Sequence, residues 1–447
     1  MPADRALTAA RVADLAARTT DETPKPAAPD LDTTLEDIHR LGLLPGTLVI
    51  VALPNTATTI HILLALLLTG AVPMPTSPAT PANRINALAR RLGAGALIST
   101  RPTHHTHQVA TAKAALLNTP QTPYSPGEFV ILTSGTSGLF SACVHHLGSL
   151  LRNATKHAQA VGLRPDDTIL INLPLYYSYA VVAQVLAAYV TGARIVVSGP
   201  PFSPQTYHSA LHRHDITSSS ITPTIARALL EHGNAPPTRL RMLTIGGDHL
   251  AATDVGNLLA LHRNELYLTY GLTEAGPRVS TLAAHAEPAH RHTSAGLPLP
   301  GVEVQLRDPQ PETGAGELLI RTDTALIRRT DGTPPLLPTG QIATGDLFRL
   351  DDDGYLHFHG RRSELVVLRG EKISLFTIRQ AAHSIPGVLR CTPHLTTADD
   401  GSTQLDLELH IDDISRADQI RTDLNRFLLP KERPRRITIN TDAGFRK

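Results

Sequence analysis

A chain of 447 residues exceeds what one hydrophobic core organises and implies two or three units, with 41% hydrophobic residues to fill them. A formal net charge of +1 offers no basic field for nucleic acid and no acidic field for cationic partners, which leaves small molecules and discrete protein surfaces. Cys143 and Cys391 lie far apart and frame no disulfide scaffold, Met1-Pro2-Ala3-Asp4-Arg5 lacks a signal-peptide core, and the longest apolar run (60–68) is too short to span a bilayer. A cytoplasmic protein without membrane attachment is expected.

In chain order, residues 6–18 carry apolar positions at helical spacing, and 19–29 read as a linker punctuated by proline and charge. Residues 48–53 form a buried strand ending at Pro54-Asn55. An apolar helix over 58–68 follows, then the return Gly70-Ala71-Val72-Pro73-Met74-Pro75, a helix over 81–92 and a strand over 96–99. Strands and helices alternating through short turns imply a parallel sheet with helices on its faces. His104-His105-Thr106-His107 has no spaced partner ligands and reads as a solvated loop.

The strand Phe129-Val130-Ile131-Leu132 runs into Thr133-Ser134-Gly135-Thr136-Ser137-Gly138. The glycines of that loop permit φ > 0, its successive N–H groups can converge on an anion, and its hydroxyls can donate to oxygens. Leu147, Leu150, Leu151, Ala154, Ala158 and Val161 then fall on one helical face, completing a strand, anion loop, helix layout. No Gly-Lys-Ser/Thr follows, so the loop is not of the Walker A type. A strand over 168–172 ends in Leu173-Pro174-Leu175-Tyr176-Tyr177-Ser178-Tyr179, which sets rings at the carboxyl edge of a sheet, where open α/β folds bind ligands. Further strands are expected around 195–197, 221–224 and 243–247. None ends in Gly-x-Gly-x-x-Gly, which removes a dinucleotide fingerprint.

Tyr270-Gly271-Leu272-Thr273-Glu274-Ala275-Gly276-Pro277 combines a ring that can stack on a purine with a hydroxyl and a carboxylate suited to phosphate and a divalent cation. From Thr344-Gly345-Asp346-Leu347 to Gly360-Arg361, a carboxylate on a turn can accept ribose hydroxyls beside an arginine fork. His357 and His359 alternate along one strand and are read as structural or solvated.

Taken in order, these three motifs resemble those of the adenylate-forming superfamily of acyl- and aryl-CoA ligases, carrier-protein adenylation domains and luciferases, over nearly the whole chain from about residue 7 to 447. The resemblance implies an α/β fold. Its large N-terminal lobe, residues 1–361, holds parallel-sheet subdomains and a small β subdomain that includes 300–304 and 316–320. A small mobile α+β C-terminal domain, residues 362–447, would rotate about Ser363-Glu364. The implied contacts with ATP come from the loop 133–138, Gly246, Gly247, Asp248, Tyr270, Gly271, Thr273, Asp346 on the ribose, and Arg361. Mg²⁺ falls to Glu274, and the acid substrate to Tyr177, Ser178, Gly246 and Gly271. Catalytic roles fall to Thr273, Glu274, Lys372 and Lys447.

The implied reaction activates a small or aryl carboxylic acid to an acyl-adenylate with release of pyrophosphate, then transfers the acyl group to a thiol of CoA or of carrier-protein phosphopantetheine. Transfer to an amine, activation of another oxyacid, and an impaired nucleotide binder are the alternatives. Departures from the family pattern sharpen the expectation. Ser178 stands where amino-acid-activating members have Asp, which disfavours an α-amino acid, and Asp248-His249 replace Ala-Pro after the Gly-Gly pair. Leu139-Phe140-Ser141-Ala142 replaces x-Pro-Lys-Gly, so ATP binding should lose roughly 1.5–3 kcal/mol and KM for ATP should rise. Phe445 follows Gly444 where the family has its catalytic lysine, so either Lys447 takes that place through a small shift or the adenylation step is compromised. Cys143 is expected to be a packed small side chain.

Overall fold

The structure, a computed structural model, describes residues 7–23, 30–101, 106–117, 124–133, 141–199, 201–233, 239–262, 264–368, 371–397, 403–428 and 432–441. The expected α/β architecture is present. A first sheet runs in the order Val72–Pro75, Leu48–Ala52, Ala96–Ser99, Ala112–Leu116, Thr106–Val109; its first three strands are parallel and its last two antiparallel. The second sheet has eight strands. Thr19–Asp21, Arg194–Val197, Thr168–Ile171, Ser218–Ile221, Met242–Gly246 and Glu265–Gly271 run parallel, Arg278–Ala283 returns antiparallel to them, and Leu297–Pro298 pairs antiparallel with Arg278–Ala283.

Runs such as Leu-Val-Ile-Val-Ala are apolar at every position because helices cover both faces of these strands. The helix Ala57–Leu68, capped by the Thr56 hydroxyl accepting from Thr59 N at 3.1 Å, is buried from Ala57 to Leu67 and shares one core with strands of both sheets. Leu147–Ala160 buries the leucines and alanines that its periodicity marks out.

Some stretches differ from the sequence expectation or go beyond it. Thr106 and His107, read as solvated loop, belong to the strand Thr106–Val109, while His104 and His105 lie outside the described residues, and the strand Ala142–His146 stands between the anion loop and the helix that follows it. Thr19–Asp21, expected within a linker, is an edge strand in register with Ile195–Val197; three residues are too few for any period to register. Ser178 opens a continuous helical stretch, π-wound over Val181–Leu186 and ending at Thr191. Its Ala-Val-Val-Ala-Gln-Val-Leu sequence is buried all round and so has no polar face to betray a helix.

Two antiparallel sheets frame the carboxyl edge of the large one. Glu128–Leu132, Ala142–His146 and Arg328–Arg329 form the first, tied by Arg328 donating to both Glu128 oxygens at 2.7 and 2.8 Å. Val302–Arg307, Gly316–Thr322, Ile342–Leu350 and Leu356–Arg361 form the second. Beyond them, the hairpin Leu365–Leu368 and Glu371–Ser374 leads to the helix Leu375–His383. A sheet of Val388–Thr397, Thr403–Ile411 and Arg436–Thr441, with the helix Ala417–Phe427, completes a C-terminal unit with its own core. Among the described residues no helix is long and apolar enough to cross a membrane.

Candidate active site

Antiparallel pairing sets Asp346 directly opposite Arg361, and the end of the strand Glu265–Gly271 brings Tyr270 to the same carboxylate. The Tyr270 hydroxyl donates to Asp346 Oδ2 at 2.6 Å, and Arg361 Nε lies 3.2 Å from Oδ1. Thr344 Oγ1 accepts from Asp346 N at 3.0 Å, and Glu317 Oε1 accepts from Gly345 N at 3.0 Å, so both sides of the turn are anchored. Burial drives the Tyr270 hydroxyl well above its ordinary range and also raises the Asp346 carboxyl, although Tyr270 and Arg361 pull the latter down. The Tyr270 ring meets Phe348 edge to face at 4.7 Å. The aromatic contacts continue through Phe358 at 5.3 Å to Phe376 of the C-terminal helix at 4.7 Å, and from there to His249 at 5.6 Å.

One turn further along the chain, Thr273 and Ser178 are hydrogen-bonded hydroxyl to hydroxyl at 3.3 Å, joining the expected acid-contact turn to the motif 270–277. Glu274 Oε1 accepts from Arg329 Nη1 at 2.8 Å. Among the described residues no group of three or more His, Cys, Asp or Glu gathers to hold a metal. A single carboxylate completed by phosphate oxygens and water suits Mg²⁺, which prefers such partial protein ligation, so the donor set fits that ion.

Thr133 closes the base of the loop, both its N–H and its hydroxyl donating to Ser141 O, at 3.2 and 3.1 Å. Ser141, where the family lysine is missing, is buried and donates to Asp331 Oδ2 at 2.8 Å. Cys143 is fully buried, and burial pushes its thiol far up, as a packed side chain requires.

At the other end of the site, Gly246 and Gly271 stand at the carboxyl ends of adjacent strands. Neither tolerates a Cβ: one at Gly246 would meet Thr269 Oγ1 at 2.5 Å, and one at Gly271 would meet Pro277 O at 2.2 Å and Arg278 Nη2 at 2.9 Å. Arg278 is therefore the floor beneath both glycines. Its Nη1 donates to Thr269 Oγ1 at 2.7 Å, and its guanidinium carbon lies 4.3 Å from the centre of the Tyr179 ring. Tyr177 is half exposed and its ring lies 4.7 Å from that of Tyr176. Gly247 takes φ +94°, and Asp248 is exposed with its carboxylate accepting from His249 N at 2.8 Å.

Thr133, Tyr177, Ser178, Gly246, Gly247, Asp248, Tyr270, Gly271, Thr273, Glu274, Asp346 and Arg361 thus lie within the described residues. Ser134, Gly135, Thr136, Ser137, Gly138 and Lys447 lie outside them, as does the side chain of Lys372, whose backbone belongs to the strand Glu371–Ser374. Arg278, Arg329 and Tyr179 were not singled out from sequence. Tyr179 carried a signal as one of the clustered rings at 176–179, and Arg278 as a charge directly following the motif 270–277 and entering the buried strand Arg278–Ala283.

Comparison with known proteins places this geometry in context. The pattern of the AMP-binding enzyme family matches residues 38–327. A 2-succinylbenzoate–CoA ligase of Bacillus cytotoxicus is 28% identical over 268 residues, covering 58% of this chain and 55% of the ligase, so the chain matches only about half the length of such curated relatives. The o-succinylbenzoate CoA synthetase MenE of Bacillus subtilis, solved with its acyl-adenylate, superposes with a TM-score of 0.80 at 20% identity over 92% of this chain and 88% of that one. The amide bond synthetase McbA of Marinactinospora thermotolerans gives 0.78 at 18% identity over 96% and 95%. At these identities the superpositions establish the fold.

Proposed function

The chain belongs to the AMP-binding enzyme family, and from that premise we propose that it activates a small or aryl carboxylic acid with ATP. The product is an acyl-adenylate, formed with release of pyrophosphate, and the acyl group then passes to a thiol of CoA or of a carrier-protein phosphopantetheine. The observation that carries this reading is the meeting of Tyr270, Asp346 and Arg361 at one corner with Ser178, Thr273 and Glu274 beside it.

The substrate carboxylate attacks the α-phosphorus of ATP in line with the departing pyrophosphate, so catalysis is mainly positioning and charge compensation. Asp346 accepts the ribose hydroxyls, displacing its bond from Tyr270 or its pair with Arg361. The Thr273 hydroxyl donates to the α-phosphate, and Ser178, bonded to it, holds the acid side of the same junction. Glu274 would hold Mg²⁺ through the carboxylate oxygen that Arg329 does not engage, and the bound ion would neutralise the pyrophosphate charge. Arg329, already on Glu274, adds a cation where the sequence lacks the loop lysine. The unit from residue 362 onward is proposed to rotate between the two half-reactions, bringing Lys372 and Lys447 to the site in turn. Buried thiols at Cys143 and Cys391 suit a cytoplasmic setting.

ATP–pyrophosphate exchange over a broad acid panel tests this reading, followed by trapping with CoA, carrier proteins, amines and hydroxylamine. Acid-dependent exchange and a thiol-trapped product are expected; an AMP-forming reaction that ignores thiols and needs an amine would reassign the acceptor. A nucleotide binder without the activating step is the second reading, favoured by the Arg329 ion pair on Glu274; ATP binding with exchange blank for every acid would establish it.

A further inference from the structure

The guanidinium of Arg278 is an unmatched buried charge. The residue is only 3% exposed, and among the described residues no carboxylate lies within ion-pairing distance. Its Nη1 has one neutral partner, Thr269 Oγ1, and its Nε has none. The remaining compensation is the Tyr179 ring beneath it. The backbone is fixed at the same time: Asn153 Nδ2 donates to Arg278 O at 2.9 Å, and Asn153 Oδ1 accepts from Arg278 N at 2.8 Å, so the side chain has little freedom to leave. Burial accordingly lowers the Arg278 pKa, and nearby His157, fully buried, is pushed down to about 3 by burial and by this cation. A buried cation of this kind is costly unless an anion arrives to meet it.

Its location says which anion. Thr269 precedes Gly271 by two residues on one strand face, about 7 Å deeper along the sheet at the usual strand rise, and Glu274 lies further out. The reacting carboxylate belongs at the outer end, beside Thr273. We propose that Arg278 is a specificity-determining residue that pairs with a second carboxylate, distal to the reacting one, and that the acid activated here is a dicarboxylic acid. This rests on the acid-activating reading given above. The guanidinium fork matches a carboxylate with two parallel donors, and only glycines at 246 and 271 leave room for the guanidinium where it stands, since a Cβ at Gly271 would come within 2.9 Å of Arg278 Nη2 and one at Gly246 within 3.2 Å of its Nη1.

The test measures equilibrium binding of matched pairs to the full chain by calorimetry: glutarate against pentanoate, phthalate against benzoate, and 2-succinylbenzoate against benzoylpropionate. Wild type, Arg278→Met and Arg278→Lys are compared, with exchange assayed in parallel. At least one diacid should bind wild type roughly ten-fold or more tighter than its mono-acid partner, a preference that Arg278→Met abolishes and Arg278→Lys partly keeps. Because Arg278→Met removes an unpaired buried charge, its thermal midpoint should rise. Equal binding within every pair by wild type, or equal weakening of both members in Arg278→Met, would overturn the proposal. Arg278-dependent diacid binding with exchange blank throughout would support this site while refuting the activation reading.

Discussion

The two ends of the site handle charge in opposite ways. At the Asp346 corner each described charge has its counter-group within the protein: Arg361 and Tyr270 for Asp346, Arg329 for Glu274, and Arg307 and Arg362 for the buried Glu317 behind the turn. At the Arg278 end a cation is buried with a hydroxyl and a ring for company. A ligand arriving at the first end must displace internal partners, so its affinity is a difference between two similar sets of bonds. One arriving at the second end completes an unfinished set, and there recognition should be steep.

The largest effect is expected from Glu274→Gln, which keeps shape but removes the charge proposed to hold the metal. Exchange should fall by roughly a hundred-fold or more, while the thermal midpoint stays within a few degrees because the amide oxygen still accepts from Arg329. Retained exchange would remove Glu274 from the metal.

Asp346→Asn comes next. ATP binding measured by calorimetry should weaken by roughly ten- to a hundred-fold, yet stability should not drop, since a carboxyl raised chiefly by burial is one whose ionisation costs stability. The sign follows from that raised value. The cost is fully present above the folded-state pKa and is relieved as pH falls through it toward the unfolded one. ATP affinity should run the other way, declining on acidification through the same window as the ribose acceptor is protonated, and Asp346→Asn should flatten that dependence. A pH-independent affinity in wild type would remove Asp346 from the ribose.

Smallest is Ser141→Lys. A lysine at this position would lower KM for ATP, but Asp331 already accepts from Ser141 and stands ready to neutralise the new charge. A gain well under ten-fold is expected, growing when Asp331→Ser is added. Kinetics of the single and double variants decide it.

Much of this was legible in the sequence because it is local. Fully apolar parallel strands, the order of three motifs, and the opposition of carboxylate and arginine at 346 and 361 all follow from residues close together in the chain. The pairings that decide function were not legible, because they join distant segments. Arg329 reaches Glu274 only because the strand Arg328–Arg329 adds to Ala142–His146, a strand whose Ala-Cys-Val-His-His sequence has no clear alternation. Arg278 comes to lie against Gly271 only through the antiparallel pairing of its strand with Glu265–Gly271. Tyr177 and Tyr179 look equivalent in sequence, yet the turn into the helix leaves one half exposed and buries the other under the guanidinium.

The row of rings from Tyr270 through Phe348 and Phe358 to Phe376 has an optical consequence. The chain contains no tryptophan, so Phe376→Trp would make position 376 the sole indole emitter against a tyrosine background. Set edge to face against Phe358 it would emit from an apolar setting, and any swing of the helix Leu375–His383 away from the large lobe would shift that emission to the red. The aromatic seam thus offers a stopped-flow reporter of the proposed rotation of the C-terminal unit.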